Sequence, residues 1–213
     1  MGEALLLDGI AQGADDVVLP EDVIEGFGTV FAGEDLVAHA ATVLEFAGLS
    51  VFSFAKGMRI PERDEKQRLY EDARLRISGL TAGEPDRIAR MAGIVSVLHG
   101  LMPHYYWTGF YRVLGGGLVI GPYQGTVGCA RIAWGRGVCG AAWQTGETQV
   151  VADVHAFPGH IACDALSESE IVVPVRDRDG RIVAVFDVDS TLPGAFDDID
   201  RIGLEWIFSA WGE

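Results

Sequence analysis

The hydrophobic pattern of the chain changes its period at Trp107. Before this residue, apolar side chains recur every three or four positions, which is typical of amphipathic helices. After it, short apolar runs alternate with turn-forming residues, which is typical of strands joined in hairpins. Helices, then a strand-rich segment, then a final helix favour an α+β domain in which helices pack on an antiparallel β-sheet.

Two helices are predicted before the change of period. Asp64 to Leu80 has the pattern of a charged helix, and Glu84 to Leu101 has the pattern of an amphipathic one. We expect the second helix to bury one apolar face against the sheet. That face is predicted to consist of Ile88, Met91, Ala92, Val95 and Leu98.

Two hairpins are predicted after the change of period. The first joins Trp107–Leu114 to Leu118–Tyr123 through a glycine triplet. The second joins Glu170–Val175 to Arg181–Val188 through a turn rich in Asp and Gly. The glycine triplet lies in a hairpin and not at the start of a helix, so it is a weak candidate for a phosphate-binding loop. No G-x-G-x-x-G lies between a strand and a helix, so a dinucleotide-binding fold has no support.

Three further elements complete the predicted domain. Gly137 to Gly146 predicts a short helix, Gln149 to Ala152 a short strand, and Asp198 to Trp211 a final helix. Asp197 or Asp198 is the expected N-cap of that final helix, because a carboxylate there can accept free backbone N–H groups. Its inward face is predicted to consist of Ile199, Ile202, Trp206, Ile207 and Ala210.

The first 57 residues differ from the rest in charge and in pattern. Residues 1–57 carry ten acidic residues and one basic residue, whereas residues 58–213 carry 21 acidic and 15 basic residues. Glycines interrupt most hydrophobic patterns there, and only Asp35 to Leu49 predicts a helix. We therefore expect residues 1–57 to be an accessory or poorly ordered N-terminal extension and residues 58–213 to be the folded domain.

The net charge of −15 restricts the partners of the chain. An acidic surface repels phosphate backbones and anionic lipids, so we expect no nucleic-acid or membrane partner. The most apolar window, Leu36 to Ala55, contains His39 and Glu45 and is a poor spanning segment. The N-terminus has no basic stretch before its apolar run, so no secretory signal is predicted. A cytoplasmic protein with reduced thiols is the expectation.

All three cysteines, Cys129, Cys139 and Cys163, lie between Trp107 and Ser190, together with His155 and His160. Four interpretations remain open. The cysteines could be small buried residues, or Cys163 and a distant cysteine could bind a metal together with His155 and His160. They could also include a hydrolytic cysteine with His155 or His160 as its base, or form a thiol redox centre.

The redox interpretation rests on where two of the thiols lie. Cys163 and Cys129 fall in polar or turn-like segments, where thiols are accessible. One thiolate would attack an oxidised substrate and become a sulfenic acid, and a second thiol would condense with it to a disulfide. An external dithiol protein would then reduce that disulfide.

A group of carboxylates is predicted beside this chemistry. Asp187 and Asp189 are two residues apart in a predicted strand, so their side chains point to the same face of the sheet. Glu170, on the first strand of the same hairpin, could join them. Like charges on one face are unfavourable unless a cation or a proton lies between them. The cluster therefore predicts either a receptor for an ammonium group or, more simply, hydrated carboxylates at the end of a sheet.

A set of ordered motifs between Asp64 and Trp211 resembles one known family, the free methionine-(R)-sulfoxide reductases, which are built on a GAF domain. The motifs are Trp107-Thr-Gly-Phe-Tyr111, Gly121-Pro-Tyr-Gln-Gly125, Cys129, Gly135-Arg-Gly-Val-Cys-Gly140, Asp153-Val-His155, His160-Ile-Ala-Cys-Asp164, Ser169-Glu-Ile-Val172 and Asp187-Val-Asp-Ser-Thr191. Residues 1–57 have no counterpart in this resemblance.

The resemblance implies roles for individual residues. Cys163 matches the nucleophile that attacks the sulfoxide sulfur, Cys129 the resolving cysteine, and Cys139 an auxiliary cysteine that can also form disulfides. The remaining matches form the substrate pocket. Aromatic residues line it around the S-methyl group, and carboxylates hold the amine and the sulfoxide oxygen; these are Trp107, Tyr111, Glu170, Asp187 and Asp189.

The resemblance also implies the reaction and its partners. The expected substrate is free L-methionine-(R)-sulfoxide, because only a free amino acid carries an ammonium for the carboxylates. Thioredoxin is the expected reductant, no metal or cofactor is expected, and a homodimer is compatible with the fold. The alternative is a GAF-type small-molecule sensor. A sensor would not need Cys163, whereas the enzyme would.

Overall fold

The computed structural model describes residues 57–160, 163–209 and 211. The helix predicted at Asp35–Leu49 lies outside these ranges. The helices are α1 (Arg63–Thr81), α2 (Arg87–Leu101), α3 (Gly137–Thr145) and α4 (Asp198–Ser209). The strands are β1 (Trp107–Leu114), β2 (Gly117–Gln124), β3 (Arg131–Ile132), β4 (Gln149–Val151), β5 (Ser169–Arg176) and β6 (Ile182–Ser190), and a 3₁₀ turn spans Val154–Ala156. None of the helices in these ranges is long and apolar enough to cross a membrane.

The strands of the described residues form one six-stranded sheet in the order β3-β2-β1-β6-β5-β4. Every neighbouring pair is antiparallel. The two predicted hairpins form β1–β2 and β5–β6, and the pairing of β1 with β6 joins them at the centre of the sheet. The predicted α+β class, with helices packed on an antiparallel sheet, is therefore confirmed.

Alternation along the central strands gives the sheet two different faces. One face packs against α2 and α4, which in turn pack against α1, and together they form the larger core, in which Phe110, Ile171 and Phe186 are buried. The opposite face carries Val172 and Val185 and is covered by α3, and we call it the α3 face. Neighbouring residues of one strand therefore point into separate cores.

Helix α2 begins three residues later than the sequence predicts. The Asp86 carboxylate accepts hydrogen bonds from the backbone N–H groups of Ile88 and Ala89, which makes Asp86 the N-cap. The predicted inward face is only partly correct. Met91, Val95 and Leu98 are buried, but Ile88 and Ala92 are exposed, and Ile94 is buried instead.

Helix α4 also turns a different face inward. Ile199 and Ile207 are buried as predicted, whereas Ile202 is 57% exposed and Trp206 is 40% exposed. Ala210 lies outside the described residues. Trp206 is covered on one side by the guanidinium of Arg74, 3.5 Å from the ring centre.

The reason for this rotation is a buried carboxylate. Asp200 is fully buried and accepts hydrogen bonds from Lys66 Nζ and from Tyr70 Oη at 2.9 Å. His104 Nε2 also lies 3.0 Å from the carboxylate, and the backbone N–H of Asp197 donates to it at 2.9 Å. Turning Asp200 toward these partners places Gly203 against Tyr70 of α1 and leaves Ile202 outside. The predicted cap is confirmed, because Asp197 accepts the N–H of Ile199 at 2.7 Å.

Gly203 provides a test of this packing. A Cβ atom at this position would lie 2.4 Å from a ring atom of Tyr70, and Tyr70 is held in place by hydrogen bonds to Asp200 and Tyr105. We expect Gly203→Ala to lower the free energy of unfolding by about 1–3 kcal/mol, measured by denaturant titration. Gly79→Ala in α1 is the matched control, because nothing lies within 4 Å of its Cβ, and it should be neutral or slightly stabilising. Equal stability of the two variants would contradict the packing described.

Candidate active site

Strand pairing brings the three predicted carboxylates together on the α3 face. Glu170 on β5 lies opposite Asp189 on β6, and Asp189 lies opposite Trp107 on β1. Asp187 is in the adjacent row, between Val172 and Gly109. Directly opposed side chains in such a sheet have Cβ atoms roughly 5 Å apart. The three carboxyl groups and Trp107 line one pocket.

The carboxyl groups are removed from water without a basic partner. Glu170 and Asp187 are each only 6% exposed, and Asp189 is half-buried. None of the ion pairs formed by the described residues includes any of the three. In addition, Asp187 Oδ1 is buried and has no hydrogen-bond partner in the described part of the chain. The cluster therefore has an unmet demand for a donor or a cation.

This environment raises all three pKa values. Burial, followed by the charges of Asp187 and Asp189, raises the pKa of Glu170 well above its ordinary value. Burial raises the pKa of Asp187 to about 6. The pKa of Asp189 is raised by burial and then by the charge of Asp187. The cluster therefore retains protons near neutral pH, since like charges at close range in a poorly solvated site cannot all ionise.

Cys139 lies in the first turn of α3, against these carboxyl groups. Its thiol is buried, is not part of a disulfide and donates toward Glu170 Oε1 at 4.0 Å. Burial and then the charges of Asp187 and Glu170 raise the pKa of this thiol well above its ordinary value. Cys139 is therefore a protonated thiol here, and a poor nucleophile in this state.

One group of potential metal ligands occurs within the described ranges. It consists of Cys139, Glu170 and Asp187, whose ligand atoms lie within 4.8 Å of one another. The histidines considered from the sequence do not form such a group with Cys163. The rings of His155 and His160 are 6.5 Å apart, and the Cys163 sulfur is bonded elsewhere.

Cys163 and Cys129 form a disulfide, with their Cα atoms 5.4 Å apart. This is the pairing that the family resemblance implied. Both residues are half-buried, and Cys163 borders the same pocket as the three carboxyl groups. Of the four interpretations of the cysteines, the thiol redox centre agrees best with this bond, because the hydrolytic and metal alternatives need a free Cys163.

Aromatic rings form the wall of the pocket beside β1. Trp107 stacks between Tyr111 and Tyr123, with ring centres 5.8 and 5.4 Å away. Its indole N–H donates to the carbonyl oxygen of Thr126 at 3.0 Å. Gly109 makes this stack possible, because a Cβ there would lie 2.6 Å from the Trp107 ring and 2.5 Å from Tyr123 Cβ.

The pocket also contains residues that sequence reasoning missed. Arg136, which is exposed, and Gly137 and Val138 in the first turn of α3 also border it. They introduce a guanidinium and helix N-terminal N–H groups, both of which suit an anionic group. The Gly-Arg-Gly run before an apolar helix was the available sequence signal.

Free space in the pocket is small in the disulfide-linked state. It amounts to about 30 Å³, which is enough for one or two water molecules. The enclosed space of this state is therefore smaller than an amino acid.

Comparisons with known proteins agree with this geometry. Residues 95–206 match the GAF domain family. The free methionine-R-sulfoxide reductase of Escherichia coli is 43% identical over 139 residues, which cover 65% of this chain and 84% of the relative.

Two solved structures are similar in fold and sequence. The free methionine-R-sulfoxide reductase from Neisseria meningitidis, in complex with its substrate, has a TM-score of 0.66 and 41% identity, covering 72% of this chain and 91% of that one. A putative GAF sensor protein from Burkholderia vietnamiensis also has a TM-score of 0.66, with 49% identity, and covers 69% of this chain and 95% of that one. The chain belongs to the GAF domain family, in the group that contains the free methionine-R-sulfoxide reductases.

Proposed function

We propose that this protein reduces free L-methionine-(R)-sulfoxide to L-methionine, with Cys163 as nucleophile and Cys129 as resolving cysteine. The observation that carries the proposal is the Cys129–Cys163 disulfide beside a pocket lined by three carboxyl groups, two buried and one half-buried, that form no ion pair with another described residue. The sequence and structural similarity to named free methionine-R-sulfoxide reductases supports the same reaction.

The carboxyl groups account for the preference for a free amino acid. An ammonium group placed among Glu170, Asp187 and Asp189 would supply the positive charge and the hydrogen-bond donors that the cluster lacks. Asp187 Oδ1, which is buried and unpartnered within the described residues, would gain a donor. A methionine sulfoxide inside a polypeptide has an amide in place of this ammonium, so burial of the cluster would remain uncompensated. The substrate carboxylate would then face Arg136 and the first turn of α3.

The same groups can supply the proton that the reaction needs. The Cys163 thiolate attacks the sulfoxide sulfur, and the sulfoxide oxygen ends on Cys163 as a sulfenic acid while methionine leaves. Protonation of that oxygen makes the step easier. Glu170 keeps its proton near neutral pH because it is buried beside like charges, which makes it the best placed general acid.

Return to the starting state uses the second cysteine. The Cys129 sulfur attacks the sulfenic sulfur of Cys163, the S–O bond breaks, and the oxygen leaves as water. An external dithiol then reduces the resulting disulfide and is itself oxidised. We propose thioredoxin for this step, in the cytoplasm, as part of the repair of oxidised free methionine.

The aromatic wall supports recognition of the sulfur substituents. Trp107 and Tyr111 both border the pocket, so the ring parts that they leave uncovered there can contact the S-methyl group and the partly positive sulfur. Fixing the amine, the oxygen and the methyl group at three points selects one epimer. Cys139 acts in its thiol form next to Glu170 in this proposal, because its burial gives no support to an auxiliary disulfide in the described state.

Two features of the chain extend the proposal. We propose that residues 58–213 form the catalytic GAF domain and that residues 1–57 form an extension of unknown role. A homodimer remains compatible with this arrangement.

The description of the Burkholderia structure favours a second candidate function, small-molecule sensing. The cysteine variants described below distinguish the enzyme from the sensor.

The first prediction concerns substrate choice. With thioredoxin, its reductase and NADPH, the protein should consume NADPH with free L-methionine-(R)-sulfoxide. The (S)-epimer and the peptide-bound (R)-sulfoxide should react at least about 100-fold more slowly in kcat/KM, because each loses one of the three fixed points, and a factor of 100 corresponds to about 2.7 kcal/mol. Equal rates with free and peptide-bound substrate would contradict the role of the carboxylates.

The second prediction separates the two cysteines. Cys163→Ser should abolish methionine formation, since no sulfur remains to accept the oxygen. Cys129→Ser should form about one methionine per protein and then stop in the absence of small thiols. The methionine formed by each variant can be measured by quenching the reaction and analysing the free amino acids. Normal turnover by Cys163→Ser would contradict the enzymatic mechanism and favour the sensor.

The third prediction concerns the carboxylate cluster. Because the folded-state pKa of Glu170 is raised, its contribution to stability falls as pH rises from its unfolded value of about 4.3 through the folded value. Glu170→Gln removes this pH-dependent loss of stability, because the glutamine amide does not ionise and its NH₂ group can donate a hydrogen bond to a neighbouring carboxylate. We expect a melting temperature roughly 2–6 °C above that of the natural protein at pH 8, a smaller difference at pH 5, and a large loss of kcat/KM.

The control for this experiment is Glu71→Gln on the exposed surface of α1. It should change neither stability nor activity at either pH. The melting-temperature difference between Glu170→Gln and the natural protein is compared at the two pH values. If the variant gained less at pH 8 than at pH 5, the ionised Glu170 carboxylate would not destabilise the fold.

A further inference from the structure

We propose that Asp164 is a positioning residue that clasps the loop carrying Cys129 to the loop carrying Cys163. The clasp favours closure of the disulfide and makes the closed disulfide harder to reduce. This inference rests on the proposed roles of the two cysteines and adds to them a residue that holds their loops in reach of each other.

The contacts of Asp164 span both loops. Asp164 directly follows Cys163 in sequence. Its Oδ2 accepts hydrogen bonds from Thr126 Oγ1 and from Tyr106 Oη, the latter at 3.1 Å. Its Oδ1 accepts the backbone N–H of Leu166 at 2.8 Å. Thr126 is three residues before Cys129, so one carboxylate joins the two segments that the disulfide also joins.

The clasp is anchored to the central sheet. The carbonyl oxygen of Thr126 accepts the indole N–H of Trp107 at 3.0 Å, so Thr126 is held through both its backbone and its hydroxyl. Tyr106, which precedes β1, donates its own backbone N–H to the carbonyl oxygen of Asp189 at 2.8 Å. Because β1 and β6 are central strands, the two loops are tied to a rigid part of the fold.

Asp164 differs from the carboxylates deeper in the pocket. Hydrogen bonds from Thr126, and then from the backbone of Leu166, hold the pKa of Asp164 below its ordinary value. It is thus an ionised acceptor with three donors, whereas Asp187 has a buried oxygen without one. A carboxylate already occupied in this way suits the holding of protein groups better than the binding of a substrate ammonium.

The clasp affects the chemistry through the geometry of closure. Disulfide formation requires the Cys129 sulfur to reach the sulfenic sulfur of Cys163, with the oxygen leaving as water. Contacts that hold the two loops together raise the effective concentration of one sulfur at the other. Contacts that are lost when the loops separate also stabilise the disulfide relative to the dithiol, by thermodynamic linkage.

A matched pair of variants at Thr126 tests the clasp without touching the pocket carboxylates. Thr126→Val removes the hydroxyl at nearly constant shape, and Thr126→Ser keeps it. Asp164→Asn removes the charge of the acceptor. The Cys129–Cys163 equilibrium is measured in dithiothreitol and glutathione redox buffers, which need no sulfoxide. We expect disulfide stability to fall about tenfold in Asp164→Asn and about threefold in Thr126→Val, with Thr126→Ser close to the natural protein.

A single-turnover experiment provides the kinetic readout. Reduced protein is mixed with free methionine-(R)-sulfoxide and a sulfenic-acid trap of the dimedone type. In Asp164→Asn the burst of methionine should keep its rate, while trapped Cys163 sulfenic acid increases several-fold because closure is slower. General loosening of the fold would slow the burst as well.

Two results would overturn the clasp. One is an Asp164→Asn variant whose redox equilibrium and trapping equal those of the natural protein. The other is a variant in which the methionine burst slows while closure is unchanged, which would place Asp164 in the first chemical step. Failure of the proposed function is recognised separately, because the natural protein itself would then give no methionine burst.

Discussion

The site depends on one constraint, the placement of three carboxyl groups on the α3 face of the sheet. Among the described residues, no lysine or arginine pairs with Glu170, Asp187 or Asp189. Burying charge without compensation is costly, so the groups hold protons or await a cation. In the proposed mechanism, the ammonium of a free amino acid supplies that cation, and binding of the ammonium places the sulfoxide sulfur near Cys163. Specificity and proton supply would then have one physical origin, the poor solvation of these carboxyl groups.

The two faces of the sheet treat a buried carboxylate in opposite ways. On the helical side, burial alone would raise the pKa of Asp200, but His104 and Lys66 hold it below its ordinary value. There the charge is balanced and fixes how α4 packs on α1. On the α3 face, no basic residue of the described ranges offsets burial, so the pKa values of Glu170 and Asp187 stay raised. The fold therefore keeps its satisfied ion pairs where stability is needed and its unsatisfied groups where a ligand enters.

Much of the carboxylate cluster could be predicted from local sequence patterns. A spacing of two residues within a strand was enough to place Asp187 and Asp189 on one face, and the hairpin turn was enough to bring Glu170 beside them. The buried faces of the helices were harder to predict. Asp200 and Gly203 look like surface residues in the sequence, yet a lysine 134 residues earlier and the ring of Tyr70 make them interior. Ile202 and Trp206 were consequently predicted on the wrong side.

The loops set the limit of such reasoning. The disulfide pairing followed from family resemblance, since spacing alone does not say which thiols meet. Arg136 and the contacts of Thr126 with Asp164 depend on how loops fold over the sheet, and no periodic pattern encodes that.

The small volume of the pocket in the disulfide form has a consequence for ligand binding during the catalytic cycle. Because the enclosed space holds only one or two water molecules, the disulfide form would bind methionine or its sulfoxide poorly. Under the proposed mechanism, product inhibition would then fall mainly on the dithiol form, and the rate of disulfide reduction would depend little on the methionine concentration.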